Sequence, residues 1–283
     1  MSTRINHNVL SLTAQRNIWQ TQMQLDSAVT RLSSGLRVNY AWDDPAGMAI
    51  SERMRAQISS MEEAERNANY NINMLATAEG GLQVIDEKLI RMRALAIQAS
   101  NGSLTSLDRQ ALDLEFKQLR SEIDRIAKTT HYNGNYLLNG EYSEGSTKFS
   151  QGMKFHIGTY NTKGEDYYYV FLTDMRMSAL GLSGTNLLNT LSAQQTIGSM
   201  DNAIEMKDEE RTRIGAYVNR LQNTILNLQI SRENAVNSES QIRDADIAKE
   251  MSNFVRTQIL MQSGVSMLSQ ANMIPQIVAG LVG

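Results

Sequence analysis

Apolar residues recur every three or four positions over most of the chain, the spacing that places them on one face of an α-helix. The period persists in three internal segments, which predicts helices at 48–100, 105–128 and 190–235. Thr105 and Asp108 open the second segment with the spacing of a capping box. Only Lys207 and Arg211 interrupt the apolar positions of the third. Two long helices, with a shorter one that returns by a tight turn, predict an elongated, rod-like helical bundle.

The segments at the two ends of the chain carry the same helical period. The predicted apolar seam of the N-terminal segment, 1–42, consists of Ile5, Val9, Leu12, Leu25, Val29 and Leu32. The seam of the C-terminal segment, 236–283, consists of Ile247, Met251, Phe254, Met261, Val265 and Leu268. Two helices alone are too thin to bury both seams and to offset the entropy lost on ordering the chain. We therefore expect these terminal helices to bind copies of themselves.

Between 130 and 185 the helical period disappears, and Asn-Gly pairs, glycines and most of the tyrosines take its place. The stretches MKFHIGTY and DYYYVFLT, separated by NTKGE, predict a β-hairpin with a longer turn. The predicted fold is therefore mainly α, a helical bundle or coiled coil with a small β-hairpin region. We divide it into an N-terminal helix, 1–42, a rod domain, 43–235, and a C-terminal helix, 236–283.

The stretch WDDPAG interrupts the helical period and contains Trp42, Asp43, Asp44 and Pro45. Two carboxylates could form an acid–base pair, but adjacent side chains point in different directions on most backbones and no histidine lies nearby in the sequence. The start of a helix accounts for the same residues, because the helix dipole favours acidic groups there and proline fits the first position. We interpret the stretch as a joint between two helices.

Composition excludes several classes of function. The chain has 27 basic and 30 acidic residues without a basic block, which argues against nucleic acid as a partner. It has no cysteine, so disulfides, thiolate zinc sites and cysteine nucleophiles are excluded. The histidines, His7, His131 and His156, are scattered and match no metal motif. No window approaches 18 consecutive apolar residues, and the first 20 residues lack the apolar region of a secretory signal. We expect no enzyme activity, no cofactor and no membrane span.

Several long stretches of the chain closely resemble bacterial flagellins. They are INHNVLSLTAQRN, RLSSGLRVNYAWDDPAGMAISERMRAQI, IRMRALAIQASNGSLTSLDRQALDLEFKQLRSEIDRIA, YNGNYLLNG and SQIRDADIAKEMSNFVRTQILMQSGVSMLSQAN. The resemblance covers about 1–140 and 186–283. It implies a helical homopolymer in which the terminal helices form an inner coiled-coil tube and the rod domain an outer tube. The variable outer domains of the family are inserted where 174–190 lie, so the chain resembles a minimal flagellin.

The resemblance also implies roles for particular residues and partners. Trp42, Asp43, Asp44 and Pro45 match the spoke that joins the inner and outer tubes. Other expected partners are a flagellar export chaperone, the type III export apparatus, the filament cap and the hook–filament junction proteins. The expected location is the extracellular flagellum, reached without a cleaved signal peptide.

One helix face resembles the part of flagellins that a host Toll-like receptor reads. Arg91 and Leu95 are four residues apart, which places them on one face of the helix. Glu115 lies on the next predicted helix, which returns alongside. These residues are expected to pack between protofilaments and to form the receptor's contact in the monomer.

Two other functions compete with a filament subunit. The first is a hook–filament junction protein, a relative of the flagellins. The second is a soluble coiled-coil adaptor, which would not need apolar seams at both ends of the chain.

Overall fold

A computed structural model describes residues 7–144 and 151–282 of the 283-residue chain. Within these residues, 71% helical content and two small antiparallel hairpins confirm the predicted mainly α fold. The helices are α1 (Val9–Ser34), α2 (Pro45–Ala99), α3 (Ser106–Thr129), α4 (Thr190–Arg243) and α5 (Ile247–Val282). The strands are β1 (His131–Tyr132), β2 (Asn135–Tyr136), β3 (Met153–His156) and β4 (Tyr167–Val170).

Local chemistry explains where the helices begin and end. Thr105 and Asp108 form the predicted capping box, in which each side chain accepts the other residue's backbone N–H. The helix α1 ends at Gly35, whose φ of 71° is the left-handed conformation that glycine adopts without strain. Two predicted boundaries need correction. The helix α2 begins at Pro45 rather than 48, because Asp44 caps it, and α4 continues past 235 to Arg243.

The chain forms two compact units. Unit 1 contains Met1–Ile58 and Glu233–Gly283, and unit 2 contains Ser59–Arg232. The helices α2 and α4 each run from one unit into the other, so the units do not end where helices end. The predicted division at 42/43 and 235/236 stays a prediction about the inner and outer layers of a filament.

The core of unit 2 forms where α2, α3, α4 and the β-hairpin region bring apolar stripes together. On α2, Leu82, Ile85, Leu89 and Met92 are spaced three or four apart and fully buried. They belong to one cluster with buried residues of the other elements, which include Phe116, Ile123, Phe155, Val170, Leu187, Ala193, Met200 and Leu221. Every buried member of the cluster lies between Ala68 and Leu221, so unit 2 contains this core in full.

The predicted hairpin is formed by β3 and β4, which pair antiparallel with Phe155 opposite Tyr168. Phe155 and Tyr168 are buried against the cluster, while the neighbouring pair, Lys154 and Tyr169, lies on the other, more exposed face. A second hairpin, β1–β2, turns at Asn133 and Gly134, which both have positive φ. The Asn-Gly pair was its sequence signal, but no strands were predicted there because each is two residues long.

The loop between β3 and β4 is held by the carboxylate of Asp166. It accepts hydrogen bonds from the backbone N–H groups of Thr162 (2.9 Å) and Tyr160 (3.0 Å), which lower the pKa of Asp166. The Asp166 carbonyl accepts from the N–H groups of Ile157 and Gly158. A methyl group at Gly158 would collide with the backbone of Asp166, so only glycine fits there without a shift of the loop.

We expect acid to open this loop before the rest of the unit. Because the folded-state pKa of Asp166 lies below the unfolded value of about 3.9, its contribution is complete above that value and is lost as the pH falls through the folded pKa. In an NMR titration, the amide signals of Tyr160 and Thr162 should move together below about pH 4. Asp166→Asn should abolish that step, and Glu165→Gln, at an exposed neighbour, should preserve it. The same titration in both variants would contradict the assignment.

Candidate assembly surfaces and joint

In unit 1, α1 and α5 pack against each other in antiparallel directions. Near one end of the pair the Asn8 side-chain amide donates to the Ala271 carbonyl (2.7 Å), and near the other Arg31 pairs with Glu250 (3.5 Å). Midway, Gly264 lies so close to Ile18 that a Cβ would approach the Ile18 side chain to 3.0 Å. Small and polar residues therefore allow close contact along this pair.

The pairing covers only part of the two predicted seams. The seam residues that it half-buries are Leu25, Leu32, Phe254, Met261 and Leu268. The residues that stay exposed are Val9 (61%), Leu12 (64%), Val29 (47%), Ile247 (49%), Met251 (46%) and Val265 (54%). Ile5 lies outside the described residues. Two helices are too thin to cover both seams, so about half of the seam residues remain exposed to solvent.

More apolar side chains are exposed on this pair than the two seams contain. They are Leu10, Trp19, Met23, Val255, Ile259, Leu260, Met267, Met273, Ile274 and Ile277. These residues were not predicted from the sequence, because the prediction used one apolar stripe for each helix and these residues lie outside that stripe. Their signal was the density of apolar residues on α5, whose mean hydropathy is the highest of the five helices described. Many exposed apolar side chains on one helix pair are typical of a protein–protein interface.

The WDDPAG stretch has the structure of a helix start. An Asp44 oxygen accepts the backbone N–H of Gly47 (2.9 Å), and Pro45 is the first residue of α2. An Asp43 oxygen accepts the N–H groups of Asn39 (3.1 Å) and Tyr40 (2.9 Å). Because both carboxylates hold backbone groups, the structure supports a joint rather than an acid–base pair.

Trp42 is the most exposed large apolar side chain among the described residues, at 77%. Its indole stacks on the Tyr40 ring, with centroids 4.5 Å apart. The two rings form an aromatic surface on the joint that contacts little else in unit 1.

The joint includes a second stretch of chain that analysis of the sequence missed. The turn between α4 and α5 pairs with the turn after α1 through Arg37 N–H to Arg243 O (2.7 Å) and Ala245 N–H to Gly35 O (2.9 Å). The Arg37 guanidinium donates to Ile242 O (2.6 Å), and Arg243 pairs with Glu52 of α2 (2.7 Å). The partners are about 200 residues apart, so no local pattern could have shown the contact.

The structure agrees with only part of the predicted placement of Arg91, Leu95 and Glu115 on one surface. Glu115 of α3 lies beside Arg91 of α2 as predicted, with Arg91 Nε 2.8 Å from Glu115 Oε1, and this hydrogen bond raises the pKa of Arg91. Both side chains are exposed. Leu95, however, is 1% exposed and belongs to the core of unit 2. Its placement on a surface shared with Arg91 was wrong, because Leu95 packs into the core cluster while Arg91 stays exposed.

Residues 7–144 and 151–282 contain no group of three or more His, Asp or Glu side chains placed to hold a metal ion. None of the helices described is both long enough and apolar enough to cross a bilayer.

Unit 1 therefore contains an antiparallel helix pair with exposed apolar side chains and a capped joint, and unit 2 contains its own core. Two family profiles match the chain: the bacterial flagellin N-terminal helical region at residues 5–143, and the bacterial flagellin C-terminal helical region at residues 197–282.

Individual relatives agree with the family profiles. The chain is 41% identical over 280 residues to a flagellin of Halalkalibacterium halodurans, with 98% of this chain and 99% of the relative covered. It is 39% identical over 276 residues to flagellin FlaB1 of Treponema pallidum, covering 95% and 96%. A Bacillus cereus flagellin structure aligns with a TM-score of 0.50 and 31% identity, over 58% of this chain and 88% of that one.

The chain therefore belongs to the bacterial flagellin family, and it is a structural subunit of a flagellar filament. These findings confirm the predicted family and function. They favour a filament subunit over a soluble coiled-coil adaptor and over a hook–filament junction protein.

Proposed function

We propose that copies of this chain assemble through the exposed outer face of the α1–α5 pair, which becomes the inner coiled coil of the filament. The observation that carries the proposal is the exposure of Val9, Leu12, Met251 and Val265 on a helix pair that is already formed. Burying apolar surface contributes about 25 cal/mol per Å², so a face of this kind supplies a large driving force for association.

The helix pair also explains why the polymer grows as a fibre. The exposed residues of α1 and α5 extend from Val9 to Val29 and from Ile247 to Ile277, so each copy offers apolar surface along much of both helices. A head-to-tail contact between neighbouring copies continues as a helical array when its rotation does not close into a ring.

A single charge on the outer face of α5 tests the proposal. Val265→Asp should abolish filament growth, because an unpaired carboxylate in an apolar contact costs several kcal/mol. Gln262→Asp is the matched control, since Gln262 is a polar, exposed residue one turn away. Polymer would be measured by sedimentation and electron microscopy after seeding, and the monomer fold by circular dichroism. Normal filaments from Val265→Asp would refute the proposed interface.

The joint is proposed as the spoke between inner and outer layers. The chain passes from α1 to α2 through Trp42, Asp43, Asp44 and Pro45. The turn at 36–37, which precedes them, pairs with the turn at 243–245 between α4 and α5. Two backbone hydrogen bonds and the Arg243–Glu52 ion pair hold the turns of the joint together within unit 1.

The remaining partners follow from the family and from the exposed helices. A subunit with apolar side chains exposed along α5 needs a cover before assembly, which supports an export chaperone. We propose export through the flagellar type III apparatus to an extracellular filament, with the cap and junction proteins as end partners. A purely structural, non-enzymatic role agrees with the family and with the use of Asp43 and Asp44 as backbone acceptors.

Recognition by a host Toll-like receptor is proposed for a smaller surface than the sequence predicted, formed by Arg91 and Glu115 without Leu95. Arg91 and Glu115 are exposed and pair with each other, which leaves them accessible in the single chain. Leu95 contributes to this surface only by supporting α2 from the core.

A further inference from the structure

Four carboxylates follow the solvent face of α4 in unit 2, namely Asp201, Glu205, Asp208 and Glu209, and we refer to them as the acidic stripe. Asp201 pairs with Arg93 (2.7 Å), and Asp208 pairs with Lys207 (2.6 Å). In the part of the chain that the structure describes, Glu205 and Glu209 have neither an ion pair nor a hydrogen bond. Like charges four residues apart on a helix repel each other, so these two glutamates destabilise α4 in the isolated chain.

Unit 2 carries a concave surface of opposite charge on α3. A cavity of about 400 Å³ lies between α3 and the segment 176–183, and we refer to it as the basic cleft. Its lining contains four cations, Lys117, Arg120, Lys128 and Arg176, and one carboxylate, Asp124.

The cations of the basic cleft are not fully neutralised within the chain. Arg120 donates to the carbonyl oxygens of Ser183 (3.0 Å) and Thr185 (3.2 Å), so no carboxylate compensates its charge. Lys117 pairs with Asp113 (2.7 Å), yet half of its side chain remains exposed. Lys128 pairs with Asp124, and Arg176 pairs with Asp174 (2.6 Å). The four cations therefore face three carboxylates, and the cleft keeps an excess of one positive charge.

We propose that the acidic stripe of one copy docks into the basic cleft of a neighbouring copy in the filament. The proposal rests on the filament function and adds which surfaces of unit 2 meet. Charge complementarity identifies the partner, since the cleft has one more cation than the carboxylates that pair with it, and the stripe has two carboxylates, Glu205 and Glu209, without a cation partner. The stripe occupies the face of α4 opposite its buried residues Ala203, Lys207 and Ile214, so it is available to a second copy. Within the filament, this contact would repeat from each copy to the next as a head-to-tail contact.

Charge reversal on one surface is the first test. Glu205→Lys with Glu209→Lys reverses the stripe without removing an internal ion pair, and Ser121→Glu with Ser178→Glu adds two negative charges at exposed positions of the cleft while keeping its ion pairs. Each pair should raise the critical concentration for polymerisation about tenfold or more, because like charges then face each other. Higher salt should partly restore these variants by screening the repulsion. Wild-type critical concentrations for both would overturn the proposal.

Reversal of both surfaces in one chain is the decisive test. The fourfold variant is self-complementary again, so its critical concentration should return to within about threefold of the wild type. A fourfold variant that assembles no better than either pair, while its monomer melts like the wild type, would overturn the proposal. Glu205→Gln with Glu209→Gln provides a milder version that also relieves the repulsion within α4.

Controls separate this contact from the α1–α5 interface. Glu144→Lys with Glu165→Lys carries the same charge change at exposed positions outside both surfaces and should assemble like the wild type. Failure of the α1–α5 proposal would show as normal filaments from Val265→Asp. Failure of the present proposal would show as no rescue in the fourfold variant while Val265→Asp still blocks growth.

Discussion

A chain of residues 41–242, which lacks α1 and α5, should lose polymerisation completely and still fold. Its buried core is unaffected, because every buried residue of the main cluster lies between Ala68 and Leu221. The truncation also keeps the cap of α2, in which Asp44 accepts the Gly47 N–H. We expect the melting temperature of this core to change by no more than about 2–4 °C, the shift that about 1 kcal/mol produces in a protein of this size.

Sedimentation with wild-type filament seeds measures the first outcome, and thermal melting followed by circular dichroism measures the second. The full-length chain is the positive control for seeding, and Val265→Asp separates loss of an interface from loss of a whole helix pair. Filaments from residues 41–242 would contradict the assignment of assembly to α1 and α5. A shortened chain without helical signal would show that unit 2 depends on unit 1.

The helices could be predicted from spacing because α-helical periodicity is a local property. The capping box at Thr105 and Asp108 and the proline start at Pro45 were equally local, and both are confirmed. The exposed seams followed from a geometric argument, that two helices cannot cover two full apolar faces, and the exposure of Val9 and Val265 agrees with it.

Sequence-based predictions of exposure were wrong where contacts with other elements of the fold determine which residues are buried. The spacing of Arg91 and Leu95 places them on neighbouring parts of one helix surface, but packing against other elements buries Leu95 and leaves Arg91 exposed. No pattern along α2 contains that difference. The pairing of Arg37 with the carbonyl of Arg243 is a backbone contact between distant turns, which side-chain identities do not encode.

Lys207 and Arg211 show the same limit with charged residues. In the sequence they interrupt an apolar seam, and nothing nearby explains this, because two of their ion-pair partners, Asp86 and Glu79, lie on α2. In the structure Lys207 is buried and its ammonium contacts Asp86 of α2 and Asp208. Arg211 pairs with Glu79 (2.7 Å) and approaches Asp86 (3.7 Å). The interruption is therefore a charged layer between α2 and α4.

The charged layer holds two cations, Lys207 and Arg211, among three carboxylates, so the loss of either cation is costly. Burial by itself lowers the pKa of Lys207, but hydrogen bonds to Asp208 and Asp86 outweigh it, so the pKa is raised. A raised pKa of a lysine stabilises the fold at every pH below the unfolded value of about 10.4. That contribution is lost only as the pH rises through the folded pKa, so it is present in full at neutral pH.

Lys207→Met should destabilise unit 2 by about 3 kcal/mol, because the change leaves Asp86 with a single, more distant cation. This value is at the low end for a broken buried pair, since the Asp86 side chain keeps 22% of its exposure and can still be hydrated. The melting temperature should fall by about 6–12 °C. Lys249→Met, at an exposed lysine of α5, is the control and should change stability by no more than about 0.5 kcal/mol.

The double variant Lys207→Met with Asp86→Leu distinguishes a lost charge pair from a poorly packed methionine. It removes the carboxylate that the single change leaves uncompensated, so it should recover more than half of the lost stability. Urea unfolding of the three chains, with equal slopes as the check on two-state behaviour, gives the comparison. If Lys207→Met unfolds at the wild-type urea midpoint, the layer adds nothing to stability. If the double variant is weaker than the single one, the loss came from packing rather than from an unpaired charge.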